Sequence, residues 1–458
     1  MLIDVLVAEI GSTTTVVNGF TGVGTNTDSP PRFVGQGQAP TSVLQGDVTI
    51  GLQQAIDSLK QSLNISELSY TKMFASSSAA GGLRMSVHGL VYDMTVKAAK
   101  EAALGAGAIL KMATAGKMRR TDLIKLKEIN PNIILIAGGV DYGERETALH
   151  NFEKIAELQL PVPIIYAGNC ENHAEIELIA EQFGIQLSIV ANVYPKVDEI
   201  NVEPTRKVIQ QVFEKHIVHA AGMESVRTMV NGPILPTPGA VMKAAQLLHT
   251  QLGNLVVFDV GGATTDVHSV CDDTEEISMI LLHPEPKAKR TVEGDLGVFV
   301  NLPHIVEKIG MTKLLDIFPD AEELIANAKP IPQSEREVLF IERLTRKAVH
   351  TALERHAGRV RTTYVMPRTK SIAEGKDLTG VQTIVATGGA LTRLPNRVAI
   401  LKTIENLYGE STLYPKPGFN VSIDNHYIMA SLGVLAEEYP EAAITLLTES
   451  INNKQVQS

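Results

Sequence analysis

The chain has 458 residues, 44% of them hydrophobic and 20% charged, a balance that excludes a disordered chain and a length that exceeds one simple core. Its 41 basic and 51 acidic residues leave a net charge of −10, which argues against a dedicated nucleic-acid binder or a protein held on anionic lipid. Only Cys170 and Cys271 carry thiols, no apolar run reaches the roughly eighteen residues of a bilayer span, and Met1 to Ile10 has no basic residue of a signal peptide, so a cytoplasmic protein is expected.

The first element is an apolar, β-rich run from Leu2 to Ile10 that stops at Gly11-Ser12-Thr13-Thr14-Thr15. A second β-prone stretch, Thr14 to Phe20, follows with almost no spacer, which predicts a hairpin. Asp47 to Leu63 has helical spacing, with Ile50, Ala55, Ile56, Leu59 and Leu63 on one face. Tyr70 to Ser77 reads as a strand leading into Ala79-Ala80-Gly81-Gly82, and the small residues of Thr95 to Ala108 as a closely packed helix. Asn132 to Ala137, Val162 to Ala167 and Gln186 to Ala191 are apolar strands separated by helices over Glu144 to Leu158 and Glu171 to Phe183. That βαβαβ alternation implies a parallel, Rossmann-like sheet. Its loops Gly138 to Gly143, Gly168 to Asn172 and Asn192 are expected to meet at one edge, in a structural or partner-binding role, since no G-x-G-x-x-G is present. Further on, Asn254 to Asp259, Asp266 to Val270 and Thr383 to Thr387 are strands, and Tyr427 to Glu438 is a helix. The expected domains are 1–130, an inserted subdomain 131–200, a connecting helical segment 201–250, a further domain 251–450 and a polar tail 451–458.

One device occurs twice. Glu9 and Asp259 each end a strand, a glycine-rich turn with hydroxyl residues follows, and a strand returns. Glycines let backbone N–H groups approach phosphate closely, and hydroxyls add donors without charge. The candidate phosphate-binding residues are Gly11, Ser12, Thr13 and Thr14 in the first hairpin and Gly261, Gly262, Ala263, Thr264 and Thr265 in the second. Glu9 and Asp259 suit a Mg²⁺ held through water. Two such hairpins facing one another would clamp a nucleotide's phosphates, with Gly388 and Gly389 lying against its base and ribose.

These three segments resemble the phosphate-1, phosphate-2 and adenosine motifs of the actin-like ATPase superfamily. Within it, Ser77 to Met85, Gly261 to His268, Val292 to Gly297 and Tyr427 to Ala430 resemble the MutL/GlmL family, the accessory L protein encoded with adenosylcobalamin-dependent glutamate (methylaspartate) mutase, and not the DNA mismatch-repair protein of that shorthand. The resemblance implies an α/β fold, actin-like (ribonuclease H-like) and two-lobed; the Rossmann-like βαβαβ block is foreign to its minimal core and is expected to be an inserted subdomain. The resemblance also implies ATP/ADP and Mg²⁺ as ligands, mutase subunits as partners, and a chaperone that reactivates the mutase; a homodimer is left open. Three departures point to slow hydrolysis: Glu9 stands where aspartate is usual, Val16 where many members carry lysine, and Pro236 to Ala240 holds no water-positioning glutamate. The alternatives are a sugar-kinase-type phosphotransferase, with Asp259 or Asp266 as the catalytic base, or a silent scaffold.

Other groups carry plainer readings. Asp266-Val267-His268 is too far from a cobalamin motif for His268 to be a cobalt ligand. Arg84 is expected to be buried against a carboxylate. Glu293 and Asp295 are expected to support a metal, contact a partner or cap a turn. Lys111, Lys117, Arg119, Arg120, Lys125 and Lys127 are expected to form a solvated face.

Overall fold

An almost continuous apolar run from Leu2, ended by Gly11, forms the strand expected of it, and the chain turns back within four residues. The computed structural model describes residues 2–11, 14–24, 29–42, 46–78, 83–217, 223–365 and 368–452. Ser12, Thr13, the Ala79 to Gly82 turn and the end of the tail lie outside them. The chain divides into two units, Met1–Lys243 with Ala430–Ala443, and Ala244–Met429 with Ile444–Ser458.

In the first unit, β1 (Leu2–Ile10), β2 (Thr14–Thr21) and β3 (Arg32–Pro40) form an antiparallel meander, and β4 (Ser69–Ser77) runs parallel to β1. A fully parallel sheet follows, made of β5 (Arg84–Gly89), β6 (Ile109–Ala115), β7 (Ile133–Ile136), β8 (Ile164–Tyr166) and β9 (Leu187–Ile189) in the order β6-β5-β7-β8-β9. β10 (Ile234–Pro236) then joins the edge of the first sheet beside β4, giving β10-β4-β1-β2-β3. In the second unit, β11 (Leu255–Val260), β12 (Thr265–Val270) and β13 (Ala288–Glu293) repeat the meander. After a separate ribbon of β14 (Arg359–Val365) and β15 (Arg368–Glu374), the strands β16 (Thr383–Thr387) and β17 (Asn420–Ile423) run parallel to β11. The resulting order, β13-β12-β11-β16-β17, matches that of the first sheet strand for strand.

The helix expected over Asp47 to Leu63 runs Val48–Ser62, because the Asp47 carboxylate accepts from the Thr49 N–H at 2.8 Å and caps it. Its inner face differs from the expectation: Val48, Leu52, Ala55, Ile56 and Leu59 are buried, whereas Ile50 is exposed. The parallel sheet also starts earlier than the alternation from Asn132 suggested, since β5 and β6 belong to it. Neighbouring residues of β7 feed different cores. Ile133 and Leu135 pack with the apolar side of the first sheet, and Ile134 and Ile136 with the helices Glu146–Ala156 and His173–Phe183. The basic run from Lys111 to Lys127 is exposed, as expected. Arg84 is half-buried and, among the described residues, makes no ion pair; the carboxylate partner expected for it is absent there. No helix among the described residues is long and apolar enough to cross a membrane.

Candidate functional site

The two hairpins share their register. Glu9 pairs with Val16 and Ile10 with Thr15; Asp259 pairs with Asp266 and Val260 with Thr265. Both turns close on the same bond, Gly11 N–H to Thr14 O and Gly261 N–H to Thr264 O, each 2.9 Å. Glu9 therefore occupies the place of Asp259, and Thr14 that of Thr264. The next strand keeps the correspondence, with Ser76 beside Glu9 and Thr387 beside Asp259.

In the second unit every carbonyl of the turn is engaged. The Val298 N–H donates to Gly261 O at 3.2 Å, while the Phe299 and Val300 N–H groups donate to Gly262 O at 2.9 and 2.7 Å. The Asn301 amide donates to Ala263 O at 2.7 Å. Thr264 O takes the closing bond described above. The N–H groups of Gly262, Ala263 and Thr264 have no acceptor among the described residues, and the turn is half-buried. Such a turn offers donors only, which suits an anion.

Gly388 lies against the same hairpin. Gly388 has φ +84°, and a Cβ there would come within 2.5 Å of Asp259 Oδ1 and 2.6 Å of the Val260 backbone. A side chain is excluded on both grounds. Thr387, just before it, donates to the buried Asp424 carboxylate at 3.0 Å, which also accepts from the Ile428 and Met429 N–H groups, each at 2.9 Å. Thus Asp259, Gly261, Gly262, Ala263, Thr264, Thr265, Gly388 and Gly389 gather on one end of the second sheet. In the first unit the described residues Glu9, Gly11 and Thr14 hold the matching positions. There the Thr41 hydroxyl donates to Gly11 O at 2.8 Å.

Asp266 is differently placed from Asp259. Its carboxylate receives the Arg290 guanidinium at 2.8 Å, with side chains 8% and 1% exposed. That partner answers for the acid structurally and leaves it poorly placed to act as a base. His268 is fully buried, and neither ring nitrogen has a partner among the described residues; burial, with Arg290 nearby, drives its pKa well below the ordinary value. A cationic role does not suit that environment. Glu293 and Asp295 both bind Arg355, the latter through two bonds of 2.6 and 3.0 Å. The guanidinium holds the Asp295 carboxyl well below the usual range, while burial raises that of Glu293. Both acids thus sit in an ion-paired turn. Among the described residues no group of three or more His, Cys, Asp or Glu side chains could hold a metal ion.

The loops at the edge of the parallel sheet do meet, and they bond to one another. Asn169 receives the Tyr142 N–H at 3.1 Å and donates to Gly143 O at 3.3 Å, while Asn192 donates to Gly139 O and Asp141, each at 3.0 Å. These bonds tie the three loops to one another. Sequence reading missed Arg290, Asn301, Arg355 and Asp424; Asp266, Ala263, Glu293 and Thr387, which they serve, lie 24, 38, 62 and 37 residues away from them.

A mixed sheet built twice on one order, with a glycine turn closing its central hairpin each time, defines an α/β protein of two like-built units. The chain belongs to the MutL protein family, whose model matches residues 5–451. It is 36% identical over 422 residues to Protein MutL of Clostridium tetanomorphum, covering 89% of this chain and 91% of that relative. Among solved structures it is similar to a nucleotide-free acetone carboxylase at 12% identity, with a TM-score of 0.41 over 95% of this chain and 70% of that one. It is also similar to component A of (R)-2-hydroxyglutaryl-CoA dehydratase from Acidaminococcus fermentans at 11% identity, with a TM-score of 0.28 over 98% of this chain and 99% of that one.

Proposed function

We propose that this chain is an ATP-binding accessory protein that reactivates an adenosylcobalamin-dependent mutase of the glutamate mutase type. The observation that carries nucleotide binding is the Gly261–Thr264 turn, with its carbonyls engaged and three N–H groups left to donate. Phosphate oxygens of ATP or ADP are the acceptors that such a turn fits. Asp259, beside the turn, would hold Mg²⁺ through water. One carboxylate is enough, because Mg²⁺ keeps several waters and takes its other ligands from the phosphates. Glu9, Gly11 and Thr14 are the matching phosphate-side residues of the first hairpin, with Ser12 and Thr13 between them in sequence. Gly388 and Gly389 provide a side-chain-free surface for the base and ribose.

Hydrolysis is slow in this reading. Asp266 is committed to Arg290 and Pro236 to Ala240 has no glutamate, so neither offers a base for the attacking water. The same commitment leaves Asp259 as the base that the sugar-kinase alternative would need for a substrate hydroxyl. The mutase as client rests on membership of the MutL family and on the resemblance of its motifs to the accessory protein of that enzyme. Adenosylcobalamin supplies radical chemistry, and loss of its adenosyl group leaves a damaged cofactor in the site. A partner that binds the mutase with different affinity in its ATP and ADP states would release it.

The test uses a mutase inactivated with hydroxocobalamin, mixed with the full-length protein, Mg²⁺ and fresh adenosylcobalamin. Activity should return with ATP and stay absent without it. Linkage requires mutase to change ATP affinity by the factor that ATP changes mutase affinity, typically about 5- to 150-fold. Failure with every mutase tried, together with phosphorylation of a small alcohol, would favour the kinase.

A further inference from the structure

We infer that the segment Gly294 to Asn301 makes the Gly261–Thr264 turn selective for anions, with Asn301 and Gly297 as its positioning residues. This rests on the nucleotide reading above. A peptide turn carries donors and acceptors in equal number, and an exposed carbonyl beside a phosphate oxygen repels it. The segment removes that conflict by occupying the carbonyls. Its backbone takes Gly261 O and Gly262 O through Val298, Phe299 and Val300. The Asn301 side chain takes Ala263 O at 2.7 Å and, with the same nitrogen, Gly294 O at 2.8 Å, tying the segment's start to its end. Donation from the Thr265 hydroxyl to Leu296 O at 2.7 Å pins the middle. What remains on the turn are the N–H groups of Gly262, Ala263 and Thr264.

Gly297 is what lets the segment lie this close. A Cβ at Gly297 would come within 2.2 to 2.5 Å of the Ala263 backbone, whereas at Gly261 and Gly262 the nearest atoms to an added Cβ are 3.4 and 3.5 Å away. The sterically indispensable glycine is therefore in the supporting segment rather than in the turn. Arg355 anchors the same segment from the helix Glu335–His356, through Glu293 and Asp295. The class of ligand follows from the chemistry: a polyphosphate, whose oxygens accept and never donate when ionised.

The experiment measures binding of ATP, inorganic tripolyphosphate and adenosine to full-length wild type, Asn301→Asp and Gly297→Ala, with Mg²⁺ and in EDTA. Asn301→Asp keeps the size but replaces a donor with a charge facing two carbonyls. Both variants should lose about tenfold or more in affinity for ATP and tripolyphosphate, in EDTA as well, and keep their affinity for adenosine. Unchanged ATP affinity, or an equal loss for all three ligands, overturns the inference. A wild-type measurement stands independently of whether the variants fold. Tripolyphosphate should shift the amide NMR resonances of Gly262, Ala263 and Thr264, and no shift there overturns the inference. A wild type that binds neither ATP nor tripolyphosphate sinks the nucleotide reading itself, which distinguishes the two failures.

Discussion

The two units carry the same hairpin in the same register and hold it with opposite chemistry. Counting from the paired strands, Val16, Asn18 and Gln36 of the first unit occupy the places of Asp266, His268 and Arg290 in the second. In the first unit the polar pair is neutral: Gln36 donates to Asn18 at 2.9 Å, and Asn18 donates to Ser431 at 2.8 Å. In the second it is a buried ion pair, with a neutral histidine beside it. The backbone thus tolerates either solution, so the charges of Asp266 and Arg290 are not needed to build the hairpin. They mark a unit whose interior depends on full pairing, because a half-paired buried charge costs far more than a half-paired amide.

The sharpest break in the comparison is Gly388→Ala. Its positive φ and its overlap with Asp259 and the Val260 backbone should together cost about 5 kcal/mol, whereas Ser77→Ala, at the matching place in the first unit, should cost little. Denaturant titration of each variant tests the pair, and a Gly388→Ala protein of wild-type stability would refute the packing described. Next, Asp266→Asn removes the charge that faces a buried guanidinium and should cost about 4 kcal/mol. Asp266→Val with Arg290→Met should recover most of that loss. If the double variant is as unstable as the single one, the second unit requires the ion pair for its fold.

Acid separates the units by a smaller margin. His88 in the first unit is buried as a neutral ring with its pKa lowered by desolvation to about 4. The second unit holds His268 and His356, lowered well below the ordinary value by burial, and His350, lowered to about 4 for the same reason. A depressed histidine is protonated first in the unfolded chain, so stability is full above about pH 6.5 and falls as pH drops toward the folded pKa. His88 alone should remove about 3 kcal/mol between pH 6.5 and pH 4. Hydrogen exchange should show the second unit weakening more steeply over that range, and His268→Asn, which copies the first unit, should flatten its slope. A first unit that opens before the second would contradict this. A smaller loss is that of Asn18→Ala, which removes both amide bonds, at about 2 kcal/mol by thermal unfolding. A cost above that of Asp266→Asn would reverse the comparison.

Much of this was legible in the chain itself. Continuous apolar runs such as Leu255 to Val260, broken by Gly261-Gly262, specify a strand and a turn through local sterics alone, and the repeated acid–glycine–hydroxyl order specified both hairpins. β3 was hidden, because Gly35, Gly37 and Pro40 argue against a strand and only pairing with β2 overrides them. β13 was hidden for a similar reason: Lys289 and Arg290 are charged and yet fully buried. The roles of single residues were less visible still. Asp266 reads in sequence as a catalytic candidate, and only the pairing of β12 with β13 brings Arg290 alongside to ion-pair with it. Gly297 looks like any glycine until Ala263 is found against it.

By itself the sequence determined the apolar strands such as Leu2–Ile10 and Leu255–Val260, the two turns, the glycine pair at Gly388-Gly389 and the family to which the chain belongs. All of these depend on a residue's conformational preference or on the pattern of its near neighbours. Only the tertiary structure decided which atoms of the second turn remain free to bind. That choice is made by donors arriving from Val298 to Asn301, more than thirty residues along the chain, and by an ion pair from Arg355 beyond them. Hydrogen-bond partners at that separation are set by how sheets and helices pack, and no local propensity encodes them.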